Sequence, residues 1–332
     1  MIERVAFRNF KVLHNADLPL GRFTLIVGSN GSGKTTALHA IQYAAHWASL
    51  PYDRVVTAGY DRTGPVELVL HWSSPYQGLR MRFLWLPNGW DRKTEGAKPE
   101  WQPDLTGLDA RLREIRTYSF DAGGIANPVG LQPNMELANT GGNLAGVLDQ
   151  LRDRAPERFE ALNDELHVWL PDFDRILFDT VGSGVRIFKL RTSHGKHAIS
   201  AADLSHGTLF AVAILTLAYL PTPPPLVGLE EPDRGIHPRL LRHIQDALYQ
   251  LAYPEQFGDT RDPVQVIVTT HSPYFLDLYK DHPDEVVIAQ KRRDGAIFER
   301  LSDRTDITAI LGDTHLGDAW YSGILGGVPS EE

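Results

Sequence analysis

The stretch Gly28-Ser29-Asn30-Gly31-Ser32-Gly33-Lys34-Thr35 matches the pattern G-x-x-x-x-G-K-S/T. The apolar residues over 23–27 precede it and predict a buried strand. Apolar residues at helical spacing over 35–50 follow it and predict a helix that ends before Pro51. Strand, glycine-rich loop and helix in this order indicate a phosphate-binding loop, or P-loop.

The residue types of this loop suit a bound polyphosphate. Glycines let backbone N–H groups converge on phosphate oxygens, and the N-terminus of the next helix adds partial positive charge. We expect Lys34 to contact the β- and γ-phosphates and Thr35 to ligate Mg²⁺ through its hydroxyl. The loop residues predicted to bind the nucleotide are Asn30, Gly31, Ser32, Gly33, Lys34, Thr35 and Thr36.

Two adjacent acids end another apolar segment. Residues 226–229 predict a strand, and Glu230 and Glu231 follow directly. Because neighbouring side chains on a strand point to opposite sides, one acid can hold Mg²⁺ while the other faces the attacking water. We assign Glu230 to the metal and Glu231 to catalysis as the base. A strand end with solvated charges is the alternative, and the P-loop favours the functional interpretation.

A histidine follows the strand predicted over 264–269. Ligands of open α/β sheets bind beyond the carboxyl ends of their strands. We therefore predict that His271 contacts the γ-phosphate or the attacking water as a second catalytic residue. The chain has 13 histidines, and its place after a buried strand distinguishes this one.

Composition limits the class of protein. The 332 residues are 42% hydrophobic and contain no cysteine, which excludes disulfides and thiolate metal sites. The N-terminus lacks the apolar segment of a secretory signal, and the apolar stretch over 209–220 is too short to span a bilayer. We expect a soluble cytoplasmic protein without a membrane partner. A formal net charge of −9 gives DNA binding no support, although a local basic patch is compatible with it.

A further motif carries a family resemblance. Leu204-Ser205-His206-Gly207-Thr208 precedes an apolar helix and lies upstream of the acidic pair. With the P-loop, the acidic strand and the histidine, it resembles the ABC-type ATPase heads of the SMC, RecF and OLD group, whose signature motif has the core Ser-x-Gly. The resemblance implies that Ser205 and Gly207 of one subunit cap the γ-phosphate bound at the P-loop of another. A helix N-terminus with a hydroxyl and a glycine N–H can cap an anion.

Other segments extend the resemblance. Residues 4–11 are similar to the opening strand of these heads, whose basic residue lies near the nucleotide, and this implies Lys11 as a further ATP contact. Residues 230–238 resemble the Walker B and D-loop region of RecF- and OLD-like ATPases. Residues 316–323 resemble the tail of compact bacterial proteins described as predicted AAA-type ATPases.

The implied fold is an α/β P-loop NTPase of the ABC-ATPase type, with a mixed central sheet, an antiparallel β lobe and a helical lobe. A single bilobed ATPase head is expected over 1–332. Its parts are a β-rich lobe with the P-loop over 1–122 and 172–200, a helical insertion over 123–171, and a lobe with the signature, Walker B and histidine loop over 201–332.

The resemblance implies ATP and Mg²⁺ as cofactors, ATP hydrolysis, and an ATP-dependent dimer that is most simply a homodimer. One hypothesis is that the protein is an ATPase head that drives or gates a DNA-related or defence process. Another is an ATP-controlled switch that docks to a separate nuclease or toxin, and a third, less favoured, is the ATP-binding subunit of a transporter. The choice of ATP over GTP rests on the resemblance alone.

Several features depart from the group or carry little weight. The signature lacks the usual second glycine and glutamine, coiled-coil arms have no counterpart, and Gln132 is a weak candidate for the Q-loop glutamine. We interpret Lys291-Arg292-Arg293 as a solvated hairpin turn and the stretch over 87–103 as an exposed loop. Three tryptophans, Trp85, Trp90 and Trp101, are assigned to core or partner contacts in preference to base stacking.

Overall fold

A computed structural model gives the structure of the chain and describes residues 1–57, 64–96, 105–182, 184–292, 295–313 and 315–326. The chain forms two compact units. The first comprises Met1–Thr117, Pro225–Gly228 and Gln265–Glu332, and the second comprises Tyr118–Pro224 and Leu229–Val264.

The strands, in chain order, are β1 (Ile2–Phe10), β2 (Leu13–Pro19), β3 (Phe23–Gly28), β4 (Val66–Trp72), β5 (Arg80–Leu86), β6 (Gly89–Glu95), β7 (Arg116–Tyr118), β8 (Val129–Gly130), β9 (Phe173–Val181), β10 (Val185–Thr192), β11 (Ala198–Ser200), β12 (Leu226–Glu230), β13 (Gln265–Thr270), β14 (Val286–Arg292) and β15 (Gly295–Arg300). The helices are α1 (Lys34–Ala45), α2 (Leu105–Arg113), α3 (Ala122–Ala126), α4 (Leu144–Arg154), α5 (Pro156–Trp169), α6 (His206–Tyr219), α7 (Leu241–Ala252), α8 (Pro273–Asp277), α9 (Ile307–Asp313) and α10 (Leu316–Tyr321).

In the first unit, an antiparallel sheet has the order β2–β1–β4–β5–β6. Its central strand β4 alternates buried and half-buried residues, so one face packs on the core and the other faces solvent. The core face includes Phe7, Phe10, Phe83 and Trp85, which pack with apolar residues of α1. Trp85 is therefore a core residue, and its indole N–H donates to the backbone carbonyl of Trp47 at 3.0 Å.

A mixed sheet carries the P-loop. Its order is β15–β14–β3–β13–β12–β7, with β3 parallel to both β13 and β14 and with β15 antiparallel to β14. Every residue of β3 and β13 is buried, as expected for parallel strands covered on both faces. The carboxyl ends of β14, β3 and β13 meet at one edge, and the P-loop begins there.

The second unit combines a small antiparallel sheet with helices. Within its described residues, β10 pairs with β9, β8 and β11. Helices α4 to α7 pack in succession, and α6 is buried from Leu209 to Ala218 because its residues are apolar on all sides. No helix in the described ranges is both long and apolar enough to cross a membrane.

The structure confirms the α/β class and the mixed sheet, and it changes some local predictions. The segment over 87–103 is not simply a loop, because it contains β6, which pairs with β5 as an exposed edge strand. The residues of β6 are mostly polar, so the sequence shows no apolar alternation there. Helix α1 ends at Ala45, earlier than predicted, and a 3₁₀ turn follows over Trp47–Ser49. Trp101 and Arg293 lie outside the described residues.

The division into units also differs from the expected parts of the head. Strands β9 to β11, which we expected in the β-rich lobe with the P-loop, belong to the second unit together with α4 and α5. The P-loop and the histidine loop, expected in different lobes, both belong to the first unit. That the two units act as one bilobed head stays a prediction.

Candidate nucleotide-binding site

The P-loop has the backbone that its glycines predict. Gly31 and Gly33 have φ angles of 75° and 92°, in the left-handed region that favours glycine. A Cβ on Gly33 would lie 2.7 Å from Leu13 Cδ2, so this glycine also packs closely against β2. A Cβ on Gly31 would meet nothing within 4 Å, so the loop has an open side at this position.

Two side chains of the loop are buried among polar backbone groups. Lys34 is 5% exposed, and its Nζ donates to the carbonyl oxygens of Gly28 at 2.7 Å and Ser29 at 2.9 Å. Ser32 is fully buried, and its Oγ has no hydrogen-bond partner among the described residues. Buried hydroxyls normally have partners, so a ligand oxygen at this loop would satisfy Ser32. These residues fit a bound nucleotide phosphate.

His271 lies at the same edge of the sheet. Thr270 of β13 pairs with Val27 of β3, so His271 follows at the level where β3 passes into the P-loop. The side chain is half-buried. The first unit therefore brings His271 to the sheet edge that carries the P-loop, and its catalytic role stays a prediction.

A cavity of about 420 Å³ lies beside Gly31 in the first unit. Its polar lining includes Lys11, His14, Thr57, Lys291 and Arg292. The Lys11 ammonium is 5.1 Å from the centre of the Tyr43 ring, within cation–π distance. The cavity therefore places three cationic side chains next to the phosphate loop.

Lys291 and Arg292 are the residues that sequence reasoning missed here. Ala289 of β14 pairs with Gly28, so the next residues of β14 extend past the P-loop edge. The interpretation of this basic segment as a simple solvated turn is incomplete, because Lys291 and Arg292 line the same cavity as Lys11. The basic residues themselves were visible in the sequence. Their location beside the P-loop could not be predicted, because it depends on the pairing of β14 with β3.

The acidic pair belongs to the second unit. Strand β12 ends at Glu230, and Glu231 has a φ of 44°, which is unusual for a residue other than glycine. The prediction that strand alternation separates the two side chains is therefore wrong, because Glu231 lies outside the strand. A left-handed φ costs free energy and is often found at functional sites. The carbonyl of Glu231 accepts a hydrogen bond from Arg234 N at 3.0 Å, which closes a tight turn.

The signature residues are at the start of α6 in the same unit. Ser205 caps this helix, since its Oγ accepts from Thr208 N at 3.2 Å. A Cβ on Gly207 would lie 2.5 Å from the carbonyl oxygen of Gly235. Gly207 therefore packs directly against the loop that follows the acidic pair, a reason for glycine that the sequence did not reveal.

Arg234 strengthens this packing. Its guanidinium lies 5.5 Å from the centre of the Phe210 ring in α6, and its Nη2 donates to the carbonyl oxygen of Phe120 at 2.9 Å. The signature helix and the loop after Glu231 thus form one packed region within the second unit.

The predicted site residues are divided between the units. Lys11, the P-loop residues, Thr36 and His271 lie in the first, and Ser205, Gly207, Glu230 and Glu231 lie in the second, where Gln132 is also found, exposed. Across the described residues, no group of three or more His, Asp or Glu side chains converges as a metal site. Mg²⁺ commonly binds through one or two protein oxygens together with phosphates and water, and the predicted ligands Thr35 and Glu230 suit that mode.

The fold and the P-loop define a P-loop nucleotide-binding protein. The chain belongs to the family described as "AAA domain, putative AbiEii toxin, Type IV TA system", which matches residues 97–277, more than half of its length. A second family, described as "AAA domain", matches residues 4–65.

Individual relatives point to the same group. An OLD nuclease from Thermus scotoductus is 24% identical over 359 aligned residues, which cover 89% of this chain and 65% of that protein. The DNA replication and repair protein RecF from Photorhabdus laumondii is 42% identical over 74 residues, 21% of this chain and 19% of RecF. The chain thus spans less than two thirds of either relative.

Solved structures show the same fold. An SMC head bound to the C-terminal winged-helix domain of ScpA has a TM-score of 0.65 at 15% identity, covering 92% of this chain and 99% of that one. The SMC head domain from Thermotoga maritima has a TM-score of 0.53 at 16% identity, covering 90% and 98%. In sequence and fold the chain is thus similar to the ABC-type ATPase heads of the SMC, RecF and OLD group.

Proposed function

We propose that this chain binds ATP with Mg²⁺, that two heads close around the nucleotide, and that hydrolysis reopens them. The observation that carries the proposal is the presence in one chain of a P-loop with a buried lysine and of a signature serine that caps an exposed helix start. In this class of head, each of these is half of a site, and a second subunit supplies the other half.

The proposed roles follow from the chemistry of each group. Lys34 and the P-loop N–H groups bind the phosphates, and Thr35 and Glu230 hold Mg²⁺. The metal, when bound, neutralises charge on the β- and γ-phosphate oxygens. Glu231 accepts a proton from the attacking water, and His271 hydrogen-bonds the γ-phosphate or that water. Ser205 and Gly207 of the partner head cap the γ-phosphate.

The cavity beside Gly31 yields the first prediction. Lys291→Ala and Arg292→Ala are each expected to weaken ATP binding by about 3- to 10-fold, because each removes a solvent-screened charge near the phosphates. Kd is measured by fluorescence with a labelled ATP analogue. Lys93→Ala is the matched control, since Lys93 is an exposed lysine of the same unit that does not line the cavity.

Added salt should reduce the difference in Kd for ATP between the cavity variants and the unaltered protein, since exposed charges are screened within about 8 Å at physiological ionic strength. An unchanged Kd for ATP in both cavity variants at low salt would show that the β14–β15 hairpin does not contribute to nucleotide binding.

A DNA-related role is the first candidate for the process that the ATPase serves. The solvent face of the antiparallel sheet has a cavity of about 330 Å³, whose charged lining consists of four arginines and three acids: Arg4, Arg8, Arg80, Arg82, Asp17, Glu67 and Glu95. Arg8 pairs with Asp17 at 3.8 Å, and Arg82 pairs with Glu67.

Arg4 and Arg80 have no carboxylate within salt-bridge distance among the described residues. Arg4 instead contacts the ring of His71 at 3.1 Å. Burial, with the charges of Arg4 and Arg80, lowers the pKa of His71 below its usual value and so favours the neutral imidazole. The four arginines of the lining outnumber its three carboxylates by one, and a concave sheet face with this positive excess suits a phosphate backbone.

Reversing these two charges tests the surface. Arg4→Glu with Arg80→Glu is expected to weaken DNA binding and to lower the slope of log K against log salt by about 2. DNA binding is measured by fluorescence anisotropy over a salt series, and DNA-stimulated ATP turnover is measured in parallel. Arg54→Glu with Arg113→Glu is the control, because both are exposed and lie outside this cavity.

Equal losses in the two double variants would show only the effect of net charge. Absence of DNA binding and of DNA-stimulated turnover in the unaltered protein would favour the other candidate, an ATP-controlled switch that docks to a separate nuclease or toxin. The family description and the OLD relative support this candidate by analogy.

A further inference from the structure

The tail of the first unit packs against the segment that follows His271. Helix α10 contacts α8, and Leu316 and Ala319 are fully buried. Beyond the helix, Leu325 is also fully buried, and Arg304 donates hydrogen bonds to the carbonyl oxygens of Ile324 and Leu325, each at 3.3 Å. The region over 316–325 is therefore a packed part of the fold.

The contact between α10 and α8 is made backbone to backbone. A Cβ on Gly317 would lie 2.6 Å from the carbonyl oxygen of Pro273 and 2.9 Å from its carbonyl carbon and Cβ. Gly317 N also donates to Asp277 Oδ1 at 2.7 Å. Gly317 thus touches the first residue of α8 and bonds to the last, and only glycine fits at this distance.

His271 lies between two segments that are held by hydrogen bonds, β13 before it and the start of α8 after it. On one side β13 is paired with β3. On the other, Ser272 N donates to Thr270 Oγ1 at 2.9 Å, and Ser272 Oγ caps α8 by accepting from Phe275 N at 3.2 Å. Helix α8 has five residues, too few for a stable helix without tertiary support. Helix α10 supplies support at both ends of α8.

We propose that Gly317 and Asp277 are positioning residues that hold His271 in its place at the P-loop edge through α8. This inference rests on the proposed role of His271 in ATP turnover. It gives the 316–323 tail motif a function that neither the P-loop nor the signature explains: through α8, the motif fixes the position of the His271 side chain.

The test compares two glycine-to-alanine variants. Gly317→Ala is expected to lower kcat by about 10- to 100-fold, since a misplacement of about 1 Å can cost two orders of magnitude, with Kd for ATP unchanged. Gly312→Ala is the control: it lies in α9 of the same unit, and its Cβ would meet nothing within 4 Å. This variant should keep full turnover.

A second pair guards against misfolding of Gly317→Ala. Asp277→Ala removes the acceptor of Gly317 N and should lower kcat in the same direction, whereas Asp277→Asn keeps an acceptor oxygen and should retain most turnover. Faster amide hydrogen exchange over 271–277 in Gly317→Ala, and not in Gly312→Ala, is expected as a readout independent of catalysis.

The His271→Ala background separates the two proposals. There, Gly317→Ala should cause no further loss of kcat, because both changes remove the same contribution. If His271→Ala alone keeps full turnover, the proposed role of His271 fails and the positioning role with it. If His271→Ala loses turnover while Gly317→Ala keeps it, or if the two losses multiply, only the positioning role is overturned.

Discussion

Replacing Glu231 with glutamine is expected to lower kcat for ATP hydrolysis by about 10²- to 10⁴-fold while leaving Kd for ATP unchanged, the usual effect of losing a general base. Glutamine keeps the size of the side chain and can still hydrogen-bond water, but it cannot accept the proton. Turnover is measured by phosphate release, and binding by fluorescence with a labelled ATP analogue. Glu231 lies outside β12 with a φ of 44°, in the turn that presents its side chain. Because glutamine has nearly the same shape as glutamate, we expect the change to preserve this turn.

Glu255→Gln is the control for this experiment, since Glu255 is an exposed acid of the same unit on a 3₁₀ turn. It should turn over ATP at the unaltered rate. Full turnover by Glu231→Gln would remove the proposed base, and attention would pass to Glu230. Loss of ATP binding in Glu231→Gln would mean that the residue serves the nucleotide or the metal instead.

Replacing Lys34 with alanine is expected to weaken ATP binding by about 10²- to 10³-fold, corresponding to about 3–4 kcal/mol for a buried charge contact. Lys34 is 5% exposed, and its Nζ donates to the carbonyl oxygens of Gly28 at 2.7 Å and Ser29 at 2.9 Å, where phosphate oxygens can take their place. Kd is measured by isothermal calorimetry with a non-hydrolysable ATP analogue and Mg²⁺.

The same change should also lower folding stability, by about 1.5–3 kcal/mol for each hydrogen bond lost from the charged ammonium, less the cost of burying that charge. A thermal melt followed by circular dichroism separates this effect from the loss of binding. Lys93→Ala again serves as the control for removal of a lysine. Undiminished ATP binding by a folded Lys34→Ala variant would contradict the assignment of the P-loop.

Local features of the site were predictable from the sequence because their geometry is set by adjacent residues. The P-loop needs a strand, glycines at φ angles that favour glycine, and a helix start, and all three are encoded over 23–45. The position of His271 was predictable for a similar reason, since a buried apolar strand ends immediately before it. Neither inference required knowledge of the sheet order.

Features that depend on contacts between distant segments were not predictable. Lys291 and Arg292 reach the cavity because β14 pairs with β3, which no local pattern reveals. The packing of Gly207 on Gly235 and of Gly317 on Pro273 joins segments far apart in sequence. Strand β6 escaped prediction because a polar edge strand is held by backbone hydrogen bonds to β5 and has no apolar period.

The structure also changes the physical reason for two of the predictions. Glu231 was assigned from strand alternation, yet a turn with a left-handed residue presents it. Gly207 was assigned as part of an anion cap, yet it is also required where α6 meets the loop after Glu231. A bulkier residue at this position would disturb both the cap and that loop, so Ser205 is the better residue for testing the cap alone.

The most direct test of the proposed ATP-driven closure is multi-angle light scattering on Glu231→Gln protein with and without ATP and Mg²⁺. We expect a monomer without nucleotide and a dimer with it, and we expect the added change Ser205→Arg to abolish the dimer while ATP still binds. A mass that stays the same with and without ATP, whether that of a monomer or that of a dimer, would contradict closure of two copies around the nucleotide.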